Sequence, residues 1–142
     1  MWRWGLGEVY GEGLVAVGAL EATVRDVMGA FDRQEYDGIL RLAMPDAQGV
    51  DEIARRWLRD ADEVEAYFKQ LEGAVDDVSS TLSDVREDDW GDVGLVTCWL
   101  EQDYTLNGEP QHVSAPSSFV LRRLDGEWRI ALIHTVPLPE EG

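Results

Sequence analysis

The sequence predicts an α+β fold class: N-terminal helices packed on a strongly curved antiparallel β-sheet, a cone-shaped α+β barrel. Three observations carry this expectation. Residues 19–74 place apolar side chains at helical spacing, and from Val75 onward the hydrophobic period shortens toward two. Asn107-Gly108 and Asp125-Gly126 then sit between apolar runs, and both dipeptides readily supply the positive φ angles of a tight hairpin turn. Helices followed by hairpin-linked strands is the chain order of a layered α+β domain. With 142 residues, 44% of them hydrophobic, there is material for one sizeable core and little for a second. The organisation is therefore an arm over 1–18, one domain over 19–139 and a tail over 140–142.

Taken in order, the arm MWRWGLGEVYGEG holds two Trp, a Tyr and four Gly without periodicity, and reads as a packing arm or as a leader. The apolar run GLVAVGAL is too short to span a bilayer, and Glu8 and Glu12 precede it without a basic cluster, so neither a signal peptide nor a membrane anchor is expected. Leu20, Val24, Val27, Met28 and Phe31 define an amphipathic helix over 19–34. A shorter helix holds Tyr36, Ile39, Leu40 and Ala43 and stops at Met44-Pro45, because the residue before proline disfavours helical backbone. Asp46 to Val50 reads as a loop. Asp51 reads as the cap of a helix with Ile53, Ala54, Trp57 and Leu58, and Asp60 or Asp62 as the cap of another with Val64, Tyr67, Phe68 and Leu71. VSSTLSDV and GLVTCWLEQDYTL are strands parted by EDDWGD, and PSSFVLRRLDGEWRIALIHTV is a long hairpin.

The charge balance excludes whole classes of partner. With 29 Asp and Glu against 12 Lys and Arg, a net charge of -17 repels a phosphate backbone, so no nucleic acid is expected. A single cysteine, Cys98, permits no internal disulfide and fits a reduced, cytoplasmic location. His112 and His134 are the only histidines and neither has a cysteine at ligand spacing, so no metal is expected. Walker, GxGxxG and GxSxG motifs are missing as well, which leaves nucleotide cofactors and serine-hydrolase chemistry without a warrant.

In FVLRRLDGEWRIALIHTVP the chain resembles the SnoaL-like branch of the nuclear-transport-factor-2-like superfamily, to which ketosteroid isomerases and polyketide cyclases belong. The resemblance covers about residues 19–139, with the opening helix and GDVGLVTCW in the expected order. It implies a cone fold, a homodimer formed through the sheet, and a function that ranges in relatives from catalysis through ligand binding to association. Pro116 and Ser117 stand where many relatives carry an arginine and an aromatic, and Leu132 where another histidine is common. No residue-by-residue counterpart of the isomerase carboxylate, tyrosine and protonated acid is found.

Strand alternation sends Trp128, Ile130, Leu132 and His134 to one face, taken as the concave one. There His134 reads as a proton shuttle or as a core histidine satisfied by one partner. Thr97, Trp99, Glu101 and Asp103 share a face of the neighbouring strand, so Asp103 is the carboxylate expected to approach His134 as an acid-base pair, with simple solvation as the alternative. Trp99, Tyr67, Tyr36, Trp128 and Leu132 are the expected ligand-binding lining, against core packing as the other role for the aromatics. The leading functional expectation is a pocket for a small, largely apolar or carbonyl-containing molecule, with cofactor-free proton-transfer chemistry of isomerase, cyclase or dehydratase type. The alternative is a noncatalytic dimerisation module with a filled cone. A cavity of about 300 Å³ or more separates the two.

Overall fold

A computed structural model describes residues 18–139, together with the backbone of β1 (Val9–Tyr10) and β2 (Leu14–Val15), which pair antiparallel as a small ribbon. The rest of the expected arm and the tail over 140–142 lie outside the described residues. The main elements are α1 (Ala19–Asp32), α2 (Tyr36–Arg41), β3 (Ala43–Val50), α3 (Ala61–Ala74), β4 (Val75–Asp89), β5 (Val93–Leu106), β6 (Glu109–Leu124) and β7 (Glu127–Thr135). Helices come first and the five-stranded sheet follows in the order β3-β7-β6-β5-β4. The sheet is open rather than closed into a barrel.

Both hairpin turns form as their sequences require. Asn107 and Gly108 take φ of 51° and 83°, Asp125 and Gly126 take 54° and 80°, and two consecutive positive φ angles match the twist of the flanking strands. Along β5 the buried residues are Gly94, Val96, Cys98, Leu100, Gln102 and Tyr104, the even-numbered face, and their neighbours on β6 are Leu121, Phe119, Ser117, Ala115, Val113 and Gln111. That face carries α1, which buries Leu20, Val24, Val27, Ala30 and Phe31 and packs against β4, β5 and β7. At Gly94 the helix lies close against the sheet, since a Cβ there would lie 2.5 Å from Leu20 Cδ2.

Bends are concentrated at irregular positions. In β4 the register shifts between Asp76 and Ser79 and again between Ser83 and Arg86, with Asp77 and Asp84 at positive φ, the signature of bulges that bend an edge strand. In β7, Val120 faces Leu132 whereas Leu121 faces Ile130, so Ala131 is an extra residue. This bulge resets the alternation. Trp128 and Ile130 face the helices before it and Ile133 and Thr135 do so after it, which turns Leu132 and His134 to the opposite face.

Two sequence expectations are corrected here. The stretch expected as a loop, Asp46 to Val50, belongs to β3, which pairs parallel with β7, so the sheet is mixed and not wholly antiparallel. It lies at the sheet edge, where Pro45 leaves no ladder bond unmade. Gly49 lets the backbones close up, because a Cβ there would sit 3.1 Å from the Ile133 carbonyl oxygen. The helix expected after Asp51 is only a turn. Asp51 does cap, accepting the Ile53 and Ala54 N–H groups at 3.0 and 2.7 Å, but Arg55 at a φ of 55° breaks the helical path and Leu58 bridges back to Gly49. Asp60 caps α3 as expected, accepting the Glu63 N–H at 2.8 Å.

Candidate functional site

Between α1, α3 and the β3–β7 edge of the sheet lies a cavity of about 100 Å³. Its walls are apolar for the most part, with Val27, Phe31, Phe68, Leu100 and Ile133 among them, and its polar groups gather where β3 ends, at Asp51, Glu52 and Tyr67. The local sequence explains the gathering. The Asp51 turn holds Glu52 against the core, at 3% exposure, and α3 carries Tyr67 across from them on the buried stripe that includes Leu71.

Asp51 is well supplied with donors. Besides the two turn N–H groups, the Tyr67 hydroxyl lies 2.8 Å from each of its carboxyl oxygens. Burial raises its pKa, and the turn N–H groups and the Tyr67 hydroxyl work against that rise. Glu52 is less well supplied. Burial, and then the charge of Asp51, push it up to about 8, and its own backbone N–H and the Gln102 side chain oppose the rise without cancelling it, so near neutral pH it keeps its proton. Two adjacent acids in unlike environments divide the roles: the turn N–H groups and the Tyr67 hydroxyl favour the charge on Asp51, and burial beside that charge leaves the proton on Glu52. The Tyr67 phenol is raised too, by burial and then by Asp51, which fixes it as a neutral donor.

Of the residues expected from the sequence, only Tyr67 lines this cavity. Tyr36 is buried one layer away, stacked on Phe68 at 5.0 Å. Trp128 is buried beneath the Arg123 guanidinium, 4.1 Å from its ring centroid. The Ala131 bulge carries Leu132 and His134 away from the helices, and the His134 ring stacks on Trp57 at 6.0 Å. Trp99, 37% exposed, is on that outer face as well. The expected His134–Asp103 pair is not brought together. His134 is level with Thr97 through Ser118, and Asp103 stands six residues further along β5, roughly 20 Å away at strand rise. Asp103 instead meets His112, whose Nδ1 is 2.9 Å from it and whose Nε2 is 3.0 Å from Glu101, an exposed bracket that raises the His112 pKa. Cys98 is buried and its thiol is pushed up to about 11 by burial, a poor nucleophile. Among the described residues, no group of three or more His, Cys, Asp or Glu is placed to hold a metal ion, and no helix is long and apolar enough to cross a membrane.

Asp51 and Glu52 were missed by the sequence reading. In a chain so rich in acids an Asp-Glu pair before Ile53 looks like a solvated helix start, and only the parallel β3–β7 pairing buries it.

The family model of the SnoaL-like domain matches residues 20–137. The chain belongs to the SnoaL-like family. Solved structures agree on the fold. A ketosteroid isomerase-like protein from Erwinia carotovora atroseptica is 19% identical, with a TM-score of 0.73 over 86% of this chain and 95% of that one. A proposed dehydratase of the NTF2-like family from Streptomyces avermitilis is 18% identical, with a TM-score of 0.76 over 86% and 95%. The S. rosetta CaMKII hub is 15% identical, with a TM-score of 0.73 over 87% of this chain and all of that one. No functionally curated protein matches the sequence. At these identities the likeness establishes the NTF2-like cone fold, which enzymes-in-name and a hub domain share.

Proposed function

We propose that this SnoaL-like protein binds a small, largely apolar, carbonyl-containing molecule in the cavity between α1 and the β3–β7 edge and carries out cofactor-free proton transfer on it. The single observation that carries the reading is the acid pair at the polar end of an otherwise apolar cavity. Asp51 is the base, Glu52 the acid and Tyr67 the hydrogen-bond donor that steadies the charge on Asp51. A cavity of about 100 Å³ falls short of the about 300 Å³ set above as the mark of a ligand pocket, which counts toward the filled-cone alternative and confines this reading to a compact molecule, with steroid-sized compounds too large for the cavity as it stands.

The test is deuterium exchange of the acidic C–H protons of a panel of small cyclic ketones, followed by NMR with and without protein. Exchange catalysed by the wild type and lost in Asp51→Asn supports the reading. Equal exchange with the wild type and with Asp51→Asn, or with no protein, sinks it.

A second reading draws on the outer sheet face. Trp99 is exposed there, with Leu132 and Val120 partly so, and a CaMKII hub shares the fold, which favours a homodimer through this face and a role in association. Such a dimer is compatible with a working cavity on the helix side. Sedimentation of the wild type at micromolar concentration as a monomer would remove it.

A further inference from the structure

Among the described residues two hydroxyl side chains line the cavity, those of Tyr67 and Thr135, and only one of them is committed. Tyr67 has a single proton and gives it to Asp51. Thr135 is 2% exposed, and its hydroxyl has no hydrogen-bond partner among the described residues. Its neighbour across the β6–β7 ladder, Ser117, spends its own proton on the Ala115 carbonyl at 3.3 Å. Gln102 Oε1 is the only side-chain polar atom among the described residues that is both sealed off and unpartnered, so the Thr135 hydroxyl opens onto the cavity rather than into the packed core. A valine has the same shape and would bury there without an unpaired polar group.

Strand register decides what that hydroxyl faces. Val50 pairs with His134 in the parallel β3–β7 ladder, so Asp51 and Thr135, the next residue on each strand, leave the sheet side by side at about one strand spacing, roughly 4.8 Å, and both line the cavity. Resting on the reading of the cavity given above, we propose that Thr135 is the specificity-determining residue of the site: its hydroxyl donates to the carbonyl oxygen of a compact ketone, whose neighbouring C–H is thereby presented to Asp51. A carbonyl oxygen has two lone pairs and no proton of its own. Thr135 takes one lone pair and the Glu52 acid the other. A hydrocarbon of the same outline leaves the Thr135 hydroxyl unpaired, and the site discriminates against it on that ground.

A structural role and a ligand-binding role for this hydroxyl differ in sign. A hydroxyl that holds the fold has a partner in the protein, and its removal strands that partner and lowers stability. A hydroxyl kept for a ligand is unpaired in the empty protein, so Thr135→Val leaves the empty protein as stable as before or more so, and the loss falls on binding. Thr135→Ser keeps the donor and gives up only the methyl group.

The experiment measures dissociation constants of cyclopentanone and of methylenecyclopentane, its hydrocarbon counterpart, by ligand-observed NMR for the wild type, Thr135→Val and Thr135→Ser, together with the thermal melt of each empty protein. Thr135→Val should bind cyclopentanone about three- to tenfold more weakly, the value of one neutral hydrogen bond, bind methylenecyclopentane as well as the wild type or better, and melt at or above the wild type. Thr135→Ser should stay within about twofold of the wild type for the ketone. A Thr135→Val protein that melts below the wild type or does not fold, or that keeps its cyclopentanone affinity or loses both probes alike, overturns the proposal. So does a Thr135→Ser protein that loses the ketone as far as Thr135→Val, or a wild type that binds no cyclopentanone. No turnover is measured, so a site that discriminates ketones in this way yet exchanges no proton sinks the proton-transfer reading and leaves Thr135 its role, whereas proton exchange beside unchanged affinities in Thr135→Val does the reverse.

Discussion

Replacing Glu52 by Gln should make the protein more stable at high pH and nearly unchanged at low pH. In the folded chain Glu52 is pushed up to about 8, whereas its ordinary value is 4.5. Below 4.5 both states hold the proton and the group contributes no pH dependence. Between 4.5 and about 8 the unfolded chain has lost the proton and the folded chain has kept it, so stability falls as pH rises through that window and levels off above it. The interval is about 3.5 pH units, and at about 1.36 kcal/mol per unit the ceiling is about 5 kcal/mol. Water entry and relaxation around a buried acid reduce this, and about 2–4 kcal/mol is the expected gain of Glu52→Gln over wild type on moving from pH 5 to pH 9. His112, also raised, gives a slope of the same sign, but it is present in both proteins and cancels in the difference. The assay is urea unfolding of both proteins at pH 5, 7 and 9. A difference between them that changes by less than about 1 kcal/mol over that range refutes the assignment of a held proton to Glu52.

Other outcomes follow from the same geometry. Tyr67→Phe removes the hydroxyl that reaches both oxygens of Asp51 and should cost about 1–3 kcal/mol in urea unfolding near neutral pH, because a buried acceptor loses its partner. Gly94→Ala forces a Cβ to within 2.5 Å of Leu20 Cδ2 and should cost about 1–3 kcal/mol by overpacking α1 against the sheet. Gly73→Ala, in α3 with nothing within 4 Å of the added Cβ, should instead stabilise by about 0.5–1 kcal/mol, and thermal melts of the two variants should move in opposite directions. On the association reading, the wild type should run as a dimer in light scattering and Trp99→Asp as a monomer, while the melting temperature of the helix-side core is retained.

The parts of this fold that are legible in the sequence are those set by local chemistry. Asn107-Gly108 and Asp125-Gly126 form the turns their φ preferences demand, the α1 stripe from Leu20 to Phe31 is buried as its spacing requires, and Asp60 caps α3. What eluded it depends on long-range pairing. Ala43–Val50 carries a proline and a glycine and no clear alternation, so nothing local marks it as a strand; the β7 edge makes it one. Its parallel ladder is a property of β7, which arrives more than seventy residues later in the chain.

The candidate site shows the same limit more sharply, since a single extra residue decides it. Period-two alternation read through Ala131 assigns His134 to the helix face, and the reading is sound as far as Ile130, which is buried with Trp128. One bulged residue inverts every assignment after it, because the side-chain period of a strand is two. The bulge puts Ile133 and Thr135 on the cavity and sends His134 out to Trp57. It also aligns β7 with Gln48, Gly49 and Val50, and that register fixes where Asp51 and Glu52 must turn inward. The event that removes the histidine from the cavity thus belongs to the same strand register that delivers the acid pair to it, and a reading of either one from sequence requires knowing the other.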